Sequence, residues 1–481
     1  MTRRNFIIII LVVAALVSAL PRLNAQEAVL ASMLADTTLT GTSYSICFAD
    51  AVTGEVVFGF DADRNLASAS VMKIYPTAIS LSLLGADYRF TTRVFMAGRF
   101  NSKKGILNGD VVILGGGDPA LGSAYFADNY GDVTAKWAEA LAAAGLRRVT
   151  GRVAAAESVY DHNPVPGGWS WADLGNYYGA GVYDINYNDN KYNIYVTGFS
   201  EGMPAVIDST DKYGREMHIG NYLTSSGKSD NGYVYNAPYS TDAWISGSVP
   251  ADSSMVLKAS MPDPPFTVVN QLNVALKNAG IKVKGSPVRE RVSLNSESYT
   301  PVCVTLSPPL SEIISTTNHE SVNLYAEALR KHLGWAVQSD GSFNAGSGVI
   351  RNFLDSIGCE PYEAVMLDGS GLSPNNNISA LMTTRLLVHM YNSRYSAAFL
   401  ASLPAAGVSG TMRSYFRSDL FRGRVIAKTG SIGSVRSFAG YITTNSGRKL
   451  AFTMIANGFT VPWRQVTNNM ERIAGDIIVR Y

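Results

Sequence analysis

Cysteine is nearly absent. Cys47, Cys303 and Cys359 are the only three in 481 residues, so at most one bridge could form and disulfides cannot be the framework of the fold. A buried free thiol behaves as a small hydrophobe, and all three are expected in the core. Histidine is almost as sparse, with five scattered residues. There is no His-Glu-x-x-His and no close cysteine pair, which leaves a metal hydrolase without ligands and gives no reason to expect a metal or cofactor. Nor does either sign of charge prevail: 40 Lys plus Arg against 38 Asp plus Glu give a formal +2, too weak a field to call for nucleic acid or a polyanionic surface as partner. No repeat recurs at solenoid or propeller periods. Long apolar runs are missing too, save one from Phe6 to Leu20. It follows Arg3 and Arg4 and precedes Leu23-Asn24-Ala25, the arrangement of a secretory signal. Its 15 residues (6 to 20) are short for a bilayer span of about 20. The reading is a signal over residues 1–25 and an exported protein of the periplasm or cell-wall space, with no stable membrane span once the signal is cleaved.

The remainder is long enough for about two to four domains, and a hydrophobic fraction of 46% can fill their cores. Tyr44–Ala49 and Glu55–Phe60 alternate about the turn-forming Asp50-Ala-Val-Thr-Gly54 and read as a hairpin. Ser70 then opens a segment with Ile74, Ala78, Ile79, Leu81 and Leu83 at near-helical spacing that stops at Gly85. From about Phe90 to Val302 short strand patterns dominate, among them Asp110–Leu114, Tyr192–Val196 and Ser254–Lys258. Two helices interrupt them, near Val133–Ala144 and Phe266–Ala279, each ending at a glycine. Helical patterns return at Leu310–Thr316, Ser321–Leu333, Gly346–Ile357 and Ser379–Asn392. Two closing strands, Ser437–Thr443 and Lys449–Ile455, and a last helix, Trp463–Val479, complete the chain. The simplest organisation is α+β: one discontinuous domain, 26–90 plus 303–481, carrying a β-rich insert at 91–302.

Acyl transfer by a serine needs a base, donors for the oxyanion and groups that hold the substrate. Ser-x-x-Lys at a helix start supplies the first, because residues three apart share a face. The pattern occurs three times, at Ser70–Lys73, Ser225–Lys228 and Ser446–Lys449. Ser225 lies in a polar loop composition and Ser446 in a hairpin turn. Only Ser70 heads an apolar-periodic helix, where a plain N-cap is the competing explanation. Lys428-Thr429-Gly430, ahead of the first closing strand, offers a cation, a hydroxyl and a glycine that lets a ligand approach the backbone. For a Ser-x-Asn element, Ser229-Asp-Asn231 shares the polar loop of the Ser225 motif, whereas Ser321-Val-Asn323 stands at a junction of two helices, where side chains can be held rigidly. The latter is preferred.

Leu66-Ala-Ser-Ala-Ser-Val-Met-Lys-Ile-Tyr-Pro-Thr-Ala78, Gly115-Gly-Gly-Asp-Pro-Ala-Leu121, Ser321-Val-Asn323-Leu-Tyr-Ala-Glu-Ala, Asp368-Gly-Ser-Gly-Leu-Ser373 and Lys428-Thr-Gly-Ser-Ile-Gly433 together resemble the class C low-molecular-mass penicillin-binding proteins, the D-alanyl-D-alanine carboxypeptidase/endopeptidases. The first and third motifs stand 251 residues apart (321−70), which in that family accommodates two inserted subdomains. The resemblance implies a transpeptidase-like domain with an antiparallel sheet flanked by helices, and peptidoglycan stem peptides as substrate. By it, Ser70 attacks the penultimate D-Ala carbonyl, Lys73 accepts its proton, Ser321 relays it to the leaving amine and Asn323 positions the substrate. Lys428 and Thr429 would bind the terminal carboxylate beside Gly430, with the N–H groups of Ser70 and Ser431 as oxyanion hole. β-Lactams would trap the same serine. Asp173, in Gly167-Gly-Trp-Ser-Trp-Ala-Asp173, is the candidate to meet the free amine of the stem peptide's diamino acid, with Trp169 and Trp171 as pocket walls; two Trp filling a small β-core is the plainer alternative. His319 and Val322 stand where many relatives have Lys and Asp.

Rival readings remain. Gly198-Phe-Ser-Glu-Gly202 spells a nucleophile elbow, but Met203–Asp208 reads as a strand instead of the helix an elbow requires. A β-lactamase lacks so long an insert. A catalytically weak wall-binding or β-lactam-sensing protein of the same fold is the alternative from another class. Eleven Tyr fall between Tyr177 and Tyr239, which sheet packing explains as readily as stacking on a glycan.

Overall fold

The structure, a computed structural model, describes residues 25–36, 39–290, 299–360 and 364–481. The secretory-signal reading rests on residues 1–24, outside those described. Among the described residues no helix is long and apolar enough to cross a membrane.

The two ends of the chain close one antiparallel sheet. Its strand order is Val425–Ile432, Val435–Thr443, Lys449–Asn457, Ser43–Asp50, Val56–Phe60. Ser43–Asp50 pairs with Lys449–Asn457 from Ser43↔Asn457 to Asp50↔Leu450, so the first strand lies second from one edge. Alternation then sends side chains to two different cores. Ile46, Phe48, Phe438, Phe452 and Met454 meet Val466, Met470, Ile473 and Ile477 of the last helix, Trp463–Arg480. Ala439, Tyr441, Ala451 and Ile455 meet the helices Ile74–Leu84 and Ala380–Tyr391, and behind them Asn323–Gln338, on the other face. Both faces are covered, as an α+β sandwich requires.

Between Leu84 and Leu310 stands a separate set of sheets. Thr91–Asn101 and Ile106–Leu114 are the central strands of a seven-stranded sheet, against which the helices Val133–Ala143 and Pro264–Asn278 pack. Two three-stranded sheets follow. One centres on Lys191–Gly198 and the other on Asp242–Val249, and they share a small core of Ile194, Val196, Leu223, Val234, Ile245 and Leu257. Tyr299–Leu306 pairs with Thr91–Asn101 at the edge of the large sheet.

Cys47 and Cys359 are buried and Cys303 is half-buried; all three are free. Cys303 departs from the expected core position because its strand is an edge, with a register shift at Pro301/Cys303.

Candidate active site

Ser70 stands one turn ahead of the α-helix, in a 3-10 turn, Ala69–Lys73, that leads into Ile74–Leu84. Residues three apart eclipse in a 3-10 turn, and Lys73 Nζ lies 2.9 Å from Ser70 Oγ. Ala69 is left-handed at φ 47, a strained state for a residue with a Cβ, held by what packs on it. Ser437 Oγ donates to the Ser68 carbonyl (2.5 Å), and Gly371 and Gly430 lie flush against the turn. A Cβ on Gly371 would overlap the Ala69 carbonyl, and one on Gly430 would come within 3.1 Å of Ser70 N.

Lys73 is fully buried, with Asn323 Oδ1 and the Ser370 carbonyl each 2.6 Å from Nζ. Neither oxygen can donate. A neutral amine therefore gives its two N–H bonds to them and turns its lone pair toward Ser70 Oγ–H, the orientation a general base needs. Burial pulls the ammonium down to about 7, against the opposing pull of Asp368 and Glu327. Near neutrality a large fraction of the amine is then free to take a proton.

The carboxylates behind Lys73 build its socket. Glu327, fully buried on the helix Asn323–Gln338, accepts the N–H groups of Gly369 (2.8 Å) and Ser370 (2.7 Å), which aims the Ser370 carbonyl at Nζ. Burial, then the neighbouring Asp368 charge, pushes Glu327 up to about 7, with Arg330 opposing. Asp368 accepts from Gly371 N (2.7 Å), Ser373 N (2.6 Å), Asn376 Nδ2 (2.7 Å) and Trp169 Nε1 (2.9 Å). The pH profile follows from this. Activity should fall as pH drops through about 7 and Lys73 becomes charged. In Glu327→Gln, whose amide oxygen can still accept both N–H groups, the share of the Glu327 charge still present near pH 7 is gone, and the acid limb should move modestly to lower pH. Initial rates from pH 5 to 9 measure it, and a limb left in place would remove Glu327 from the Lys73 balance.

Lys428 and Thr429 were expected ahead of a strand; the structure places them inside one, Val425–Ile432. Lys-Thr-Gly-Ser carries no apolar alternation to mark a strand, which exists because its backbone pairs with Val435–Thr443 from Val425↔Ile442 to Ile432↔Val435. Lys428 is fully buried, and Nζ donates to Ser321 Oγ (3.0 Å) and to the Thr429 carbonyl (2.8 Å). Among the described residues no carboxylate pairs with it. Burial, then repulsion from Lys73, holds it well below the ordinary lysine range. A substrate carboxylate beside it would supply the missing counter-charge. Ser321 is left-handed, φ 58, between the helices Leu310–His319 and Asn323–Gln338. Ser431 is exposed at the end of the Lys428 strand.

Ser70, Lys73 and Asn323 thus meet directly, Ser321 meets Lys428, and Gly430 lies against the Ser70 turn. Asp173 is joined at one remove: Asn323 Nδ2 donates to the Tyr178 carbonyl (2.7 Å), and Tyr178 OH donates to Asp173 Oδ1 (3.2 Å). Partial burial raises the Asp173 carboxyl, with the Tyr178 bond opposing. Trp171 is 48% exposed, its ring centroid 6.1 Å from that of Trp244, and Trp169 is half-buried with Nε1 on Asp368, so neither Trp169 nor Trp171 fills a β-core.

The other serines are engaged elsewhere. Ser225 is buried at a strand end, accepting from Phe199 N (2.8 Å), and Lys228 is exposed. Ser446 Oγ donates to the Tyr481 carbonyl (2.5 Å). Asn231 lies on an exposed loop whose N–H bonds Ser248 O. Ser200 is exposed in a turn followed by the strand Val206–Thr210, with no helix. Reading by motif missed Glu327, although an acid between Leu324 and Leu329 on an apolar helix is a detectable signal. The Ser370 carbonyl and Tyr178 leave no signal in spacing.

The sequence profile of the D-Ala-D-Ala carboxypeptidase 3 (S13) family matches residues 26–476. A D-alanyl-D-alanine carboxypeptidase of Actinomadura sp. (strain R39) is 30% identical over 444 residues, covering 90% of this chain and 80% of that protein. The crystal structure of penicillin binding protein 4 from Haemophilus influenzae superposes with a TM-score of 0.78 at 19% identity, covering 92% of this chain and 97% of that one. The same protein complexed with a β-lactam gives 0.74 at 18% identity, with the same coverage of each chain.

Proposed function

The chain belongs to the D-Ala-D-Ala carboxypeptidase 3 (S13) family of serine peptidases, and from that premise we propose that it removes D-Ala from peptidoglycan stem peptides through an acyl-enzyme on Ser70. Ser70 Oγ attacks the carbonyl of the penultimate D-Ala as its proton passes to Lys73. The developing oxyanion lies between the N–H groups of Ser70 and Ser431, a contribution worth roughly 3 kcal/mol per donor in comparable sites. Ser321, bonded to Lys428, relays that proton from Lys73 to the departing D-Ala amine, which leaves Lys73 uncharged and Ser321 a hydroxyl again, and Lys428 with Thr429 holds the carboxylate of the leaving D-Ala. Asn323 orients both Lys73 and the substrate backbone, while Asp173 faces the stem peptide's free amine. Water then attacks the ester and gives a proton to Lys73, which returns it to Ser70 Oγ as the ester C–O bond breaks, releasing the shortened peptide with Ser70 and Lys73 restored. Cleavage of a D-Ala-linked cross-bridge uses the same steps, with a longer leaving group. A β-lactam would acylate Ser70 and stay.

The observation that carries this reading is the fully buried Lys73 amine, held by Asn323 Oδ1 and the Ser370 carbonyl with Nζ 2.9 Å from Ser70 Oγ. We take 26–90 and the segment after Leu306 as the peptidase domain. The strand Tyr299–Leu306 shares a sheet with Thr91–Asn101, which supports a boundary a few residues beyond 303, and we read the insert as two subdomains. An exported location accords with the N-terminal signal pattern and a wall substrate.

The test has two arms. D-Ala release from a peptide ending in D-Ala-D-Ala measures turnover, and mass analysis of a fluorescent-penicillin adduct locates the acylated residue. D-Ala release and an adduct on Ser70, lost in Ser70→Ala, are the expected results. An adduct elsewhere would sink the assignment, and acylation without turnover would favour the sensing alternative.

A further inference from the structure

The sheet of His218–Ser225, Tyr233–Asn236 and Asp242–Val249 has one face committed to the small core through Leu223, Val234 and Ile245. Alternation puts Tyr222, Tyr233, Tyr235 and Trp244 on the other face, which Trp171 meets at one end and which is otherwise largely open among the described residues: Tyr222 is 70% exposed, Tyr233 45% and Trp244 40%, with Tyr235 half-buried. Tyr235 and Trp244 are cross-strand partners with rings stacked at 5.3 Å and 8°. Across from Trp244 on the third strand is Gly220. A Cβ there would touch the Tyr222 ring at 3.4 Å and Trp244 Cβ at 3.5 Å, ordinary contacts, so packing does not demand glycine. Glycine instead leaves a slot open between two rings.

This face runs on toward the catalytic residues. Trp171, against Trp244, opens the short helix Trp171–Leu174 that carries Asp173. A cleft of about 360 Å³ shares Tyr233 with the aromatic face and Tyr178 with the Asn323 contact, and Tyr177, Asp230, Asn231 and Lys258 also line it. Its polar groups mix one acid, two amides and one cation, so no single charge is favoured. Between the rings of the face stand Gly220, Ser246 and Thr224 in place of aliphatic side chains. That composition suits a neutral ligand with C–H faces, hydroxyls and amides better than a lipid surface or an apolar protein patch.

We propose that this aromatic face and its adjoining cleft bind the N-acetylated amino-sugar strand to which the peptide substrate is attached. The inference rests on the peptidase reading above. A stem peptide held at Ser70 has its polymer on the side away from the scissile bond, and a ring-lined slot continuous with the cleft gives that polymer a place to lie.

The test compares a free pentapeptide with isolated peptidoglycan bearing the same peptide, using wild type, Trp244→Ala, Tyr222→Ala and Gly220→Leu, the last filling the slot without removing a ring. On free peptide all four should agree within about twofold. On the polymer the variants should show KM raised on the order of fivefold or more at unchanged kcat. An N-acetylglucosamine tetramer should bind wild type calorimetrically and not the variants. Equal KM on polymer, with no tetramer binding, overturns the proposal and leaves the peptidase reading intact, whereas wild type inactive on free peptide would fail that reading itself. A concentration-dependent dimer abolished by Trp244→Ala would assign the face to a second copy and also overturn it. If Trp244→Ala loses free-peptide activity, Tyr222→Ala, at the most exposed ring, still decides the matter.

Discussion

Lys73→Met should reduce kcat/KM for D-Ala release by about a thousandfold, within the range of general-base removal, while the protein stays folded. Methionine matches the length of the lysine stem and fills the buried space, so packing around Ile74 and Tyr75 is kept. The desolvation that pulls the Lys73 ammonium down is a cost of folding, and replacing it by a thioether removes that cost. Against this, Asn323 Oδ1 and the Ser370 carbonyl each lose a donor, a penalty of about 1–3 kcal/mol per buried group. The two effects oppose each other, and the melting temperature should move by only a few degrees. Turnover, penicillin acylation rate and a melt on the same preparation check it. Acylation at the wild-type rate would mean that another group takes the Ser70 proton.

Gly371→Ala should be the most damaging single-methyl addition near the site. Gly371 is left-handed at φ +80, and the added Cβ would overlap the Ala69 carbonyl and come within 2.9 Å of Ser70 N, both backbone and neither able to swing aside. The strain of an alanine at that φ costs about 1–2 kcal/mol by itself, and displacing the turn adds more, so a loss of about 3 kcal/mol is expected. Catalysis should suffer separately. A nucleophile displaced by about 1 Å loses roughly a hundredfold in rate. Gly447→Ala is the control, because φ +84 there is equally left-handed and nothing lies within 4 Å of the added carbon. It should cost about 1 kcal/mol and leave D-Ala release unchanged. Equal melts and equal rates for the two variants would show that Gly371 does not brace the Ser70 turn.

The α+β class, the first hairpin, the closing strands and the long helices were legible because each rests on a period the backbone imposes on its neighbours. Tyr44–Ala49 alternates, Ser379–Asn392 repeats every three to four residues, and both elements form within about two residues of the expected span. The Lys428 strand was not, since its polar run has no period and it is a strand only through the bonds Val435–Thr443 provides. Cys303 shows the same limit: its residue type argues for burial, and its edge position leaves it half exposed.

By itself the sequence determined which groups are three apart, and hence that Ser70 and Lys73 can touch, because that geometry is local. It also determined the family likeness of five motifs in order. Tertiary structure alone decided that Lys73 is dry, that Asn323 and Ser370, 250 and 297 residues away, take its two N–H bonds, and that Glu327 and Trp169 converge on the Asp368 loop. Spacing prescribes reach. Desolvation and long-range bonds depend on how the chain closes, and it is closure that turns an ordinary ammonium into a base.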